Sequence, residues 1–144
     1  EYIVDLVGQH HAHSVVVTGG EPLMYNLDHL CRLLKGKKIL TFLETSGSHP
    51  ISGLWDWICV SPKQKQPPLQ EVYPLAHELK VIVSSEHDLQ WAEECRMQVS
   101  EQCYLCLQPE WSVRAQMIPV LINYVKQHPV WNLSIQTHKY LHIP

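Results

Sequence analysis

The chain has 144 residues, of which 45% are hydrophobic and five are tryptophan, which is enough for one packed core and excludes a disordered tail. The formal net charge is −3 and Lys and Arg are scattered, so we expect no basic surface for duplex nucleic acid or an anionic membrane. No apolar run reaches the roughly 20 residues of a membrane-spanning helix, and no signal sequence opens the chain. We therefore expect a cytoplasmic protein that binds a small, mostly buried ligand.

Strand patterns alternate with helix patterns along the chain. Residues 2–9 have the apolar spacing of the tail of a helix, and a strand at 15–18 is followed by a helix at 25–34. Strands at 39–44 and 57–61 come next, then a strand at 79–83 and a helix at 86–97, with Ser85 as its expected N-cap and Asp88 supporting it from N3. A strand at 103–108, a helix at about 113–126 and a strand at 132–136 complete the pattern. The alternation predicts an α/β fold with a parallel sheet in one domain, residues 1–144.

Two connections and the start of the chain depart from this alternation. Residues 45–56 and 62–77 lack a helix pattern, and four prolines in the second predict long, exposed loops. Glu1 brings neither an initiator methionine nor a helix cap, so the chain is expected to begin in mid-structure.

The five cysteines show no disulfide rhythm, and reduced, mostly buried thiols are expected. Cys103 and Cys106 have the C-x-x-C spacing of a metal or redox pair. However, no second Cys or His pair lies at zinc spacing, and a redox pair normally opens a helix rather than lying in a strand pattern.

Short polar motifs follow the strands at their carboxyl ends. They are Thr-Gly-Gly-Glu-Pro at 18–22, Glu-Thr-Ser-Gly at 44–47, Ser-Pro-Lys at 61–63, Gln-Pro-Glu at 108–110 and Gln-Thr-His-Lys at 136–139. Carboxyl ends of parallel strands lie on one side of a sheet, where α/β active sites form. The pattern therefore predicts one site at that side.

The Gly19-Gly20-Glu21-Pro22 turn has the chemistry of a cation site. Pro22 removes an N–H donor, the glycines expose backbone carbonyls, and Glu21 either adds a negative charge or braces the turn. These acceptors suit a bound ammonium. The alternative is a tight turn in which Pro22 merely opens the next helix at N1.

Several other polar residues allow two interpretations. Glu44 is a ligand for a ribose or an amine, or a salt-bridged structural acid; Lys63 reaches into the site or is a solvated lysine. His138 and Lys139 donate to a ligand or cap a strand end. The histidines at 10, 11 and 13 precede the first predicted strand of the sheet, at the opposite end from these motifs, so a solvated loop is favoured over a metal site.

In their order along the chain, the motifs resemble those of the 7-carboxy-7-deazaguanine synthase family of the radical S-adenosylmethionine superfamily. They are Val-Val-Val-Thr-Gly-Gly-Glu-Pro-Leu, Leu-Glu-Thr-Ser-Gly, Val-Ser-Pro-Lys, Leu-Gln-Pro and Leu-Ser-Ile-Gln-Thr-His-Lys-Tyr-Leu-His-Ile-Pro. Gly-Gly-Glu-Pro marks the superfamily, whereas the Gln-Thr-His-Lys-Tyr-Leu ending narrows the resemblance to this family.

The resemblance implies a partial (βα) barrel that lacks its first strand and cluster loop. It implies a carbon–nitrogen lyase that contracts the ring of 6-carboxy-5,6,7,8-tetrahydropterin to 7-carboxy-7-deazaguanine in queuosine biosynthesis. The implied cofactors are S-adenosyl-L-methionine, a 4Fe-4S cluster and Mg²⁺. The implied partners are the pterin substrate, a second copy in a homodimer, and a reductant such as flavodoxin or ferredoxin, with no direct nucleic acid or membrane partner.

The resemblance also implies roles for individual residues. Gly19, Gly20 and Glu21 would hold the methionine end of the cofactor, and its remaining contacts would be Glu44, Thr45, Ser61, Lys63 and Gln108. The substrate would contact Thr18, Gln136, Thr137, His138 and the terminal carboxylate of Pro144.

The chain departs from the family pattern in one respect. The family binds its cluster through Cys-x-x-x-Cys-x-x-Cys, which no triplet of the five cysteines matches, so neither catalytic cluster cysteines nor a metal site is expected in this chain. We expect no radical chemistry from these 144 residues alone. The alternatives are a cluster-free remnant that binds S-adenosylmethionine or pterin, and another radical S-adenosylmethionine enzyme that activates a protein radical.

Overall fold

A computed structural model describes residues 2–143 as one six-stranded parallel sheet with helices. The strands are β1 (Ser14–Val17), β2 (Leu40–Thr45), β3 (Trp57–Val60), β4 (Glu78–Val83), β5 (Tyr104–Pro109) and β6 (Trp131–Leu133). The helices are α1 (Tyr2–Gln9), α2 (Asp28–Gly36), α3 (His87–Arg96), α4 (Arg114–Gln127) and α5 (Thr137–Tyr140). Three short 3₁₀ turns lie at Pro22–Met24, Tyr73–Leu75 and Trp111–Val113.

The strands are adjacent in chain order, and every neighbouring pair is parallel. A doubly wound sheet reverses its strand order at a switch point, whereas a (βα) barrel adds each strand on the same side of the last. The order without reversal confirms the predicted partial barrel.

Alternation along each strand separates two faces of the sheet. On β4, Leu79, Val81 and Val83 are buried in the main core, while Glu78 and Lys80 lie on the other face. The core face packs against α3 and α4, whose Ala92 and Leu121 are fully buried. The opposite face is left open by the described helices and carries the polar residues of interest.

The two connections without a helix pattern are exposed only in part: residues 63–67 are exposed as expected, but other residues of both connections contribute to the core. Val72, Tyr73 and Ala76 of the Pro-rich connection are buried in the main core, and Ile51 and Trp55 of the earlier connection pack against it. These apolar side chains take the place of a covering helix between β2, β3 and β4.

Three expected element ends also differ. The helix expected at 25–34 begins at Asp28, because Pro22–Met24 forms a separate 3₁₀ turn. Ser85 gives α3 no side-chain cap; instead the Asp88 carboxylate accepts from the Ser84 and Ser85 N–H groups, 2.8 and 3.0 Å away. The last strand ends at Leu133 rather than at residue 136, because the chain turns into α5. None of the helices within residues 2–143 is long and apolar enough to cross a membrane.

Candidate functional site

A cleft of about 380 Å³ opens on the uncovered face at the carboxyl ends of the strands. Its lining comes from β2, β4 and β5 and from the residues that follow β3 and β6, namely Glu44, Ser61, Lys80, Ile82, Gln108, Ser134, Ile135, Gln136 and His138. Of the residues expected from the sequence, it brings together Glu44, Ser61, Gln108, Gln136 and His138. The prediction that polar motifs after successive strands meet on one side is therefore confirmed for these five.

An ion pair lies in the middle of the cleft. The Lys80 ammonium donates to Glu44 Oε1 at 2.9 Å, and the Lys80 side chain is 14% exposed against 42% for Glu44. Burial alone lowers the pKa of Lys80, but the surrounding groups, with Glu44 bonded directly to the ammonium, raise it above its usual value. The cleft therefore carries one fixed positive charge and one partly solvated negative charge.

Polar groups without a formal charge line the side of the cleft nearest β6. The Ser134 hydroxyl donates to Gln108 Oε1 at 3.1 Å, which joins the ends of β5 and β6. This bond occupies the amide oxygen of the buried Gln108 and holds the amide in one orientation, with its NH₂ group as the donor. Gln136 and His138 continue the same wall. Amide and imidazole groups in this arrangement suit the hydrogen-bonding edge of a heterocycle.

Glu21 braces the Gly-Gly-Glu-Pro turn. Its Oε1 accepts from the Leu23 N–H at 3.1 Å and the Thr45 hydroxyl at 2.6 Å, while Oε2 accepts from the Ser46 N–H at 2.8 Å and the Ser46 hydroxyl. Burial raises the pKa of Glu21, but the hydrogen bonds from Ser46 and Thr45 outweigh it, so the pKa is lowered and the carboxylate stays ionised. Of the two roles considered for Glu21, these contacts support the brace.

Gly19 and Gly20 leave room for a ligand beside the braced turn. Both have positive φ, 86° and 51°, a conformation that other residues rarely adopt. A Cβ built on either glycine meets no atom within 4 Å. The glycine conformation therefore serves the turn itself, and open space lies on the side where a Cβ would be.

Four other expected site residues lie outside the lining of the cleft. Thr45 is buried, and its hydroxyl donates to Glu21 and accepts from the Gly47 N–H at 3.0 Å, which makes it part of the brace. Lys63 is largely exposed and donates to the Ser61 hydroxyl at 3.3 Å; desolvation of its ammonium and the charge of Lys80 lower the pKa of Lys63. Thr18 and Thr137 are exposed, and Pro144 lies outside the described residues.

Sequence patterns gave no role to Lys80, or to Ser46 and Ser134, which lie within the quoted motifs. Lys80 lies inside the apolar run of β4, and only the alternation of buried Leu79 and Val81 shows that it faces away from the core. Ser46 and Ser134 are common loop residues whose roles depend on partners 25 and 26 residues away, Glu21 and Gln108. No local signal marks such contacts.

The cysteines of the described chain do not converge on a cluster site. Cys103 packs in the main core and Cys106, three residues later, lies on the open face, so a shared metal ion is excluded for this pair. All five thiols are free and buried, and burial raises the pKa of Cys103 to about 11 and of Cys106 to about 12. Residues 2–143 hold no group of three His, Cys, Asp or Glu side chains that could bind a metal, and the histidines at 10, 11 and 13 are exposed.

Comparison with known proteins identifies relatives that share one name. The 7-carboxy-7-deazaguanine synthases of Flavobacterium psychrophilum and Synechocystis are 46% and 48% identical to the chain over 93% and 88% of its length. The synthase of Prochlorococcus marinus is 36% identical over 90% of the chain, which spans 68% of that relative. The chain spans 64% and 61% of the length of the first two relatives.

A solved structure has the same fold. The crystal structure of QueE from Escherichia coli superposes with a TM-score of 0.82 at 27% sequence identity, over 93% of this chain and 62% of that one. No family model matches the sequence. The likeness extends over nearly the whole described sheet.

Proposed function

The chain belongs to the 7-carboxy-7-deazaguanine synthase family, and from this membership we propose that it forms the cofactor- and substrate-binding part of a radical S-adenosylmethionine lyase. The proposed reaction converts 6-carboxy-5,6,7,8-tetrahydropterin to 7-carboxy-7-deazaguanine in the biosynthesis of queuosine and related 7-deazapurines. The observation that carries the proposal is the polar cleft at the carboxyl ends of β2 to β6 next to the open Gly19-Gly20 turn.

The glycine turn and the cleft fit S-adenosylmethionine. The carbonyls of Gly19 and Gly20 would accept from its ammonium, while Glu21 holds the turn in place from behind. Ser61 and Glu44 offer a hydroxyl and a carboxylate that suit ribose hydroxyls, and the Gln108 amide, fixed by Ser134, would donate to the adenine side. When bound, this cofactor would supply the hydrogen-atom abstraction that starts the reaction, for which it needs one electron from a reduced iron–sulfur cluster.

The wall formed by the segment after β6 fits the pterin. Gln136 and His138 would pair with the polar edge of its ring, and Thr18 and Thr137 would make outer contacts from their exposed positions. The Lys80 ammonium is paired with Glu44, and its remaining N–H groups would donate to the carboxylate of the substrate. These residues bind and orient; no proton transfer is assigned to any of them.

The described residues do not fit a 4Fe-4S cluster or Mg²⁺. A cluster needs several thiolates directed at one point, whereas the five thiols are buried and protonated, and residues 2–143 contain no candidate metal-binding group. We therefore derive no step through the cluster or Mg²⁺. The 144-residue chain alone is expected to produce no 5′-deoxyadenosine from S-adenosylmethionine.

Calorimetric titration tests the proposal. The chain is expected to bind S-adenosylmethionine and 6-carboxy-5,6,7,8-tetrahydropterin, and Gln136→Ala or His138→Ala should weaken pterin binding about tenfold, the equivalent of one lost hydrogen bond to a ring edge. Affinity for S-adenosylmethionine should stay within about twofold in both variants. Gln116→Ala and His29→Ala change exposed residues on α4 and α2 and serve as matched controls.

The titrations also separate the alternatives. A protein-radical activating enzyme would bind S-adenosylmethionine and no pterin. A cluster-free remnant would bind both ligands only weakly; activity does not separate it from the proposal, because the 144-residue chain alone is expected to be inactive in either case. Absence of pterin binding to the unmodified chain would overturn the proposed substrate.

Partners and location form part of the same proposal. Within residues 2–143, β1 pairs only with β2, and an open strand edge favours pairing with a second chain, consistent with a homodimer. Sedimentation velocity at several concentrations would measure this association. A flavodoxin- or ferredoxin-type reductant and a cytoplasmic location are proposed from the family alone.

A further inference from the structure

We propose that Trp111 is a positioning residue that holds α5, and with it the pterin-binding wall, against the sheet. The inference rests on the proposed function, in which Gln136 and His138 contact the pterin. The contact that would position the wall joins Trp111, in the turn after β5, to α5, in the segment after β6.

The segment of residues 135–143 has few other links to the rest of the protein. Its last backbone tie to the sheet is just before it, where the Ser134 N–H donates to the Leu107 carbonyl at 2.9 Å. The hydrogen bonds of residues 135–143 found within the described chain all stay inside the segment. Its apolar side chains contribute little burial, because Leu141 and Ile143 are 62% and 55% exposed.

Helix α5 is too short to hold its own position. It has four residues, and Gln136 supplies no side-chain cap. Forming one helical turn is unfavourable in isolation, so such a segment needs tertiary contacts to stay ordered. The wall of the cleft therefore depends on whatever α5 packs against.

Trp111 supplies this packing through two neighbouring residues of α5. Its ring meets the ring of Tyr140 edge to face, with centroids 5.0 Å apart at 77°, and Lys139 Nζ lies 5.1 Å from the Trp111 ring centroid. Both geometries are attractive because the face of an aromatic ring is negative, whereas the edge of an aromatic ring and an ammonium are positive.

Trp111 lies in the turn between β5 and α4, where the Glu110 N–H donates to the Val83 carbonyl of β4 at 2.9 Å. The Arg114 guanidinium carbon lies 3.8 Å from its ring centroid, and Arg114 Nη1 donates to the Trp111 carbonyl at 2.7 Å. The Glu110 carboxylate accepts from the Ser112 N–H at 2.9 Å and from the Ser112 hydroxyl, which fixes the turn that bears Trp111. The Trp111 ring thus belongs to the turn that follows β5. Its contacts with α5 connect that helix to the ordered end of β5.

Removal of the indole should free the wall without affecting the glycine turn. In Trp111→Ala, amide hydrogen exchange of residues 135–143 should accelerate about tenfold, which matches the combined size of one aromatic pair and one cation–π contact. Binding of 6-carboxy-5,6,7,8-tetrahydropterin should weaken by about the same factor, while binding of S-adenosylmethionine changes less than about twofold.

Three further variants separate positioning from general destabilisation. Tyr140→Ala removes the other ring from an exposed position and should reproduce the effect, and the double variant should be no weaker than Trp111→Ala alone. Trp111→Phe keeps an aromatic face and should restore most of the pterin affinity. Tyr2→Ala, which removes a tyrosine ring on α1 that is 78% exposed, is the matched control and should change neither measurement.

The exchange measurement needs no ligand, so the role of Trp111 and the proposed function can be refuted separately. Unchanged exchange of residues 135–143 in Trp111→Ala and Tyr140→Ala overturns the role of Trp111, whatever the pterin titration shows. Faster exchange together with unchanged pterin affinity also overturns it, because the segment would then be held without positioning the ligand. A wild-type chain that binds no pterin overturns the proposed substrate, and the exchange result still decides whether Trp111 holds α5.

Discussion

Replacing Glu21 by Gln tests whether this residue braces the glycine turn or binds the cofactor directly. All four hydrogen bonds to the Glu21 carboxylate come from the protein, and they join the turn after β1 to Thr45 at the end of β2 and to Ser46 just after it. An amide NH₂ cannot accept, so Glu21→Gln loses the two bonds at one oxygen and turns a donor toward other donors. A bond to a charged group contributes about 1.5–3 kcal/mol, but partial exposure of Glu21 reduces this, and we expect a loss of about 1–2 kcal/mol in the free energy of unfolding.

The loss should depend on pH in a defined direction. The folded-state pKa of Glu21 is lowered, so its contribution to stability is fully present above the ordinary glutamate pKa of about 4.3 and is lost as the pH falls through the lower, folded value. Urea denaturation should therefore show the full difference between wild type and Glu21→Gln at pH 7 and a smaller difference below about pH 4. Glu101→Gln changes an exposed glutamate elsewhere and should show no difference at pH 7.

A second variant distinguishes the two roles of Glu21. Thr45→Val removes the buried hydroxyl that donates to Glu21 and cannot itself touch a ligand in the cleft. If Glu21 is a brace, Thr45→Val weakens S-adenosylmethionine binding as well, and the two substitutions are not additive. Full stability of Glu21→Gln at pH 7, combined with lost S-adenosylmethionine binding, would refute the brace and make Glu21 a direct ligand.

Three other substitutions or treatments test the fold. Glu93→Ala should lower the free energy of unfolding by about 2–3 kcal/mol in urea, because Glu93 Oε1 accepts from the Trp131 Nε1–H at 2.7 Å and the Tyr124 hydroxyl at 2.8 Å; Glu93→Gln, which keeps that oxygen, should lose less. Gly47→Ala should lower the free energy of unfolding by more than about 2 kcal/mol, since φ is 74° and a new Cβ would lie 2.9 Å from the nearest carbon. Gly36→Ala, where a Cβ meets no atom, should be neutral or stabilising. Equal thermal midpoints for the two variants would contradict this expectation. Because all five thiols are buried, Ellman's reagent at pH 8 should label the folded chain slowly and all five thiols rapidly in urea; fast labelling of the folded chain would contradict the described burial.

Strand patterns were the most reliable guide to the fold. Alternation on β4 predicts both the strand and its buried side, because a two-residue period requires only local sequence. Alternation does not predict the burial of Val72 and Tyr73 in the Pro-rich connection, since that burial depends on how the loop folds over β3 and β4. No periodic element contains these residues, so no local pattern could reveal that they complete the core.

The site was predictable in position but not in its internal contacts. Residues at strand ends, such as Glu44 and Gln108, were expected in the cleft because parallel strands bring their carboxyl ends together. Lys80, the partner of Glu44, was not expected there, because it lies in the middle of a strand two positions away in the sheet. Thr45 shows the same limit, since one residue along β2 moves a side chain from the cleft to the core face.

The loops around the cleft are joined in pairs, and this arrangement explains how short segments keep a site in shape. Glu21 connects the loops after β1 and β2, while Ser134 and Trp111 connect the ends of β5 and β6. No residue is shared between these two sets of contacts. The proposed binding sites for the methionine part of the cofactor and for the pterin are thus held in place by separate contacts. The distance between the two sites is set by the sheet, across which Lys80 of β4 pairs with Glu44 of β2.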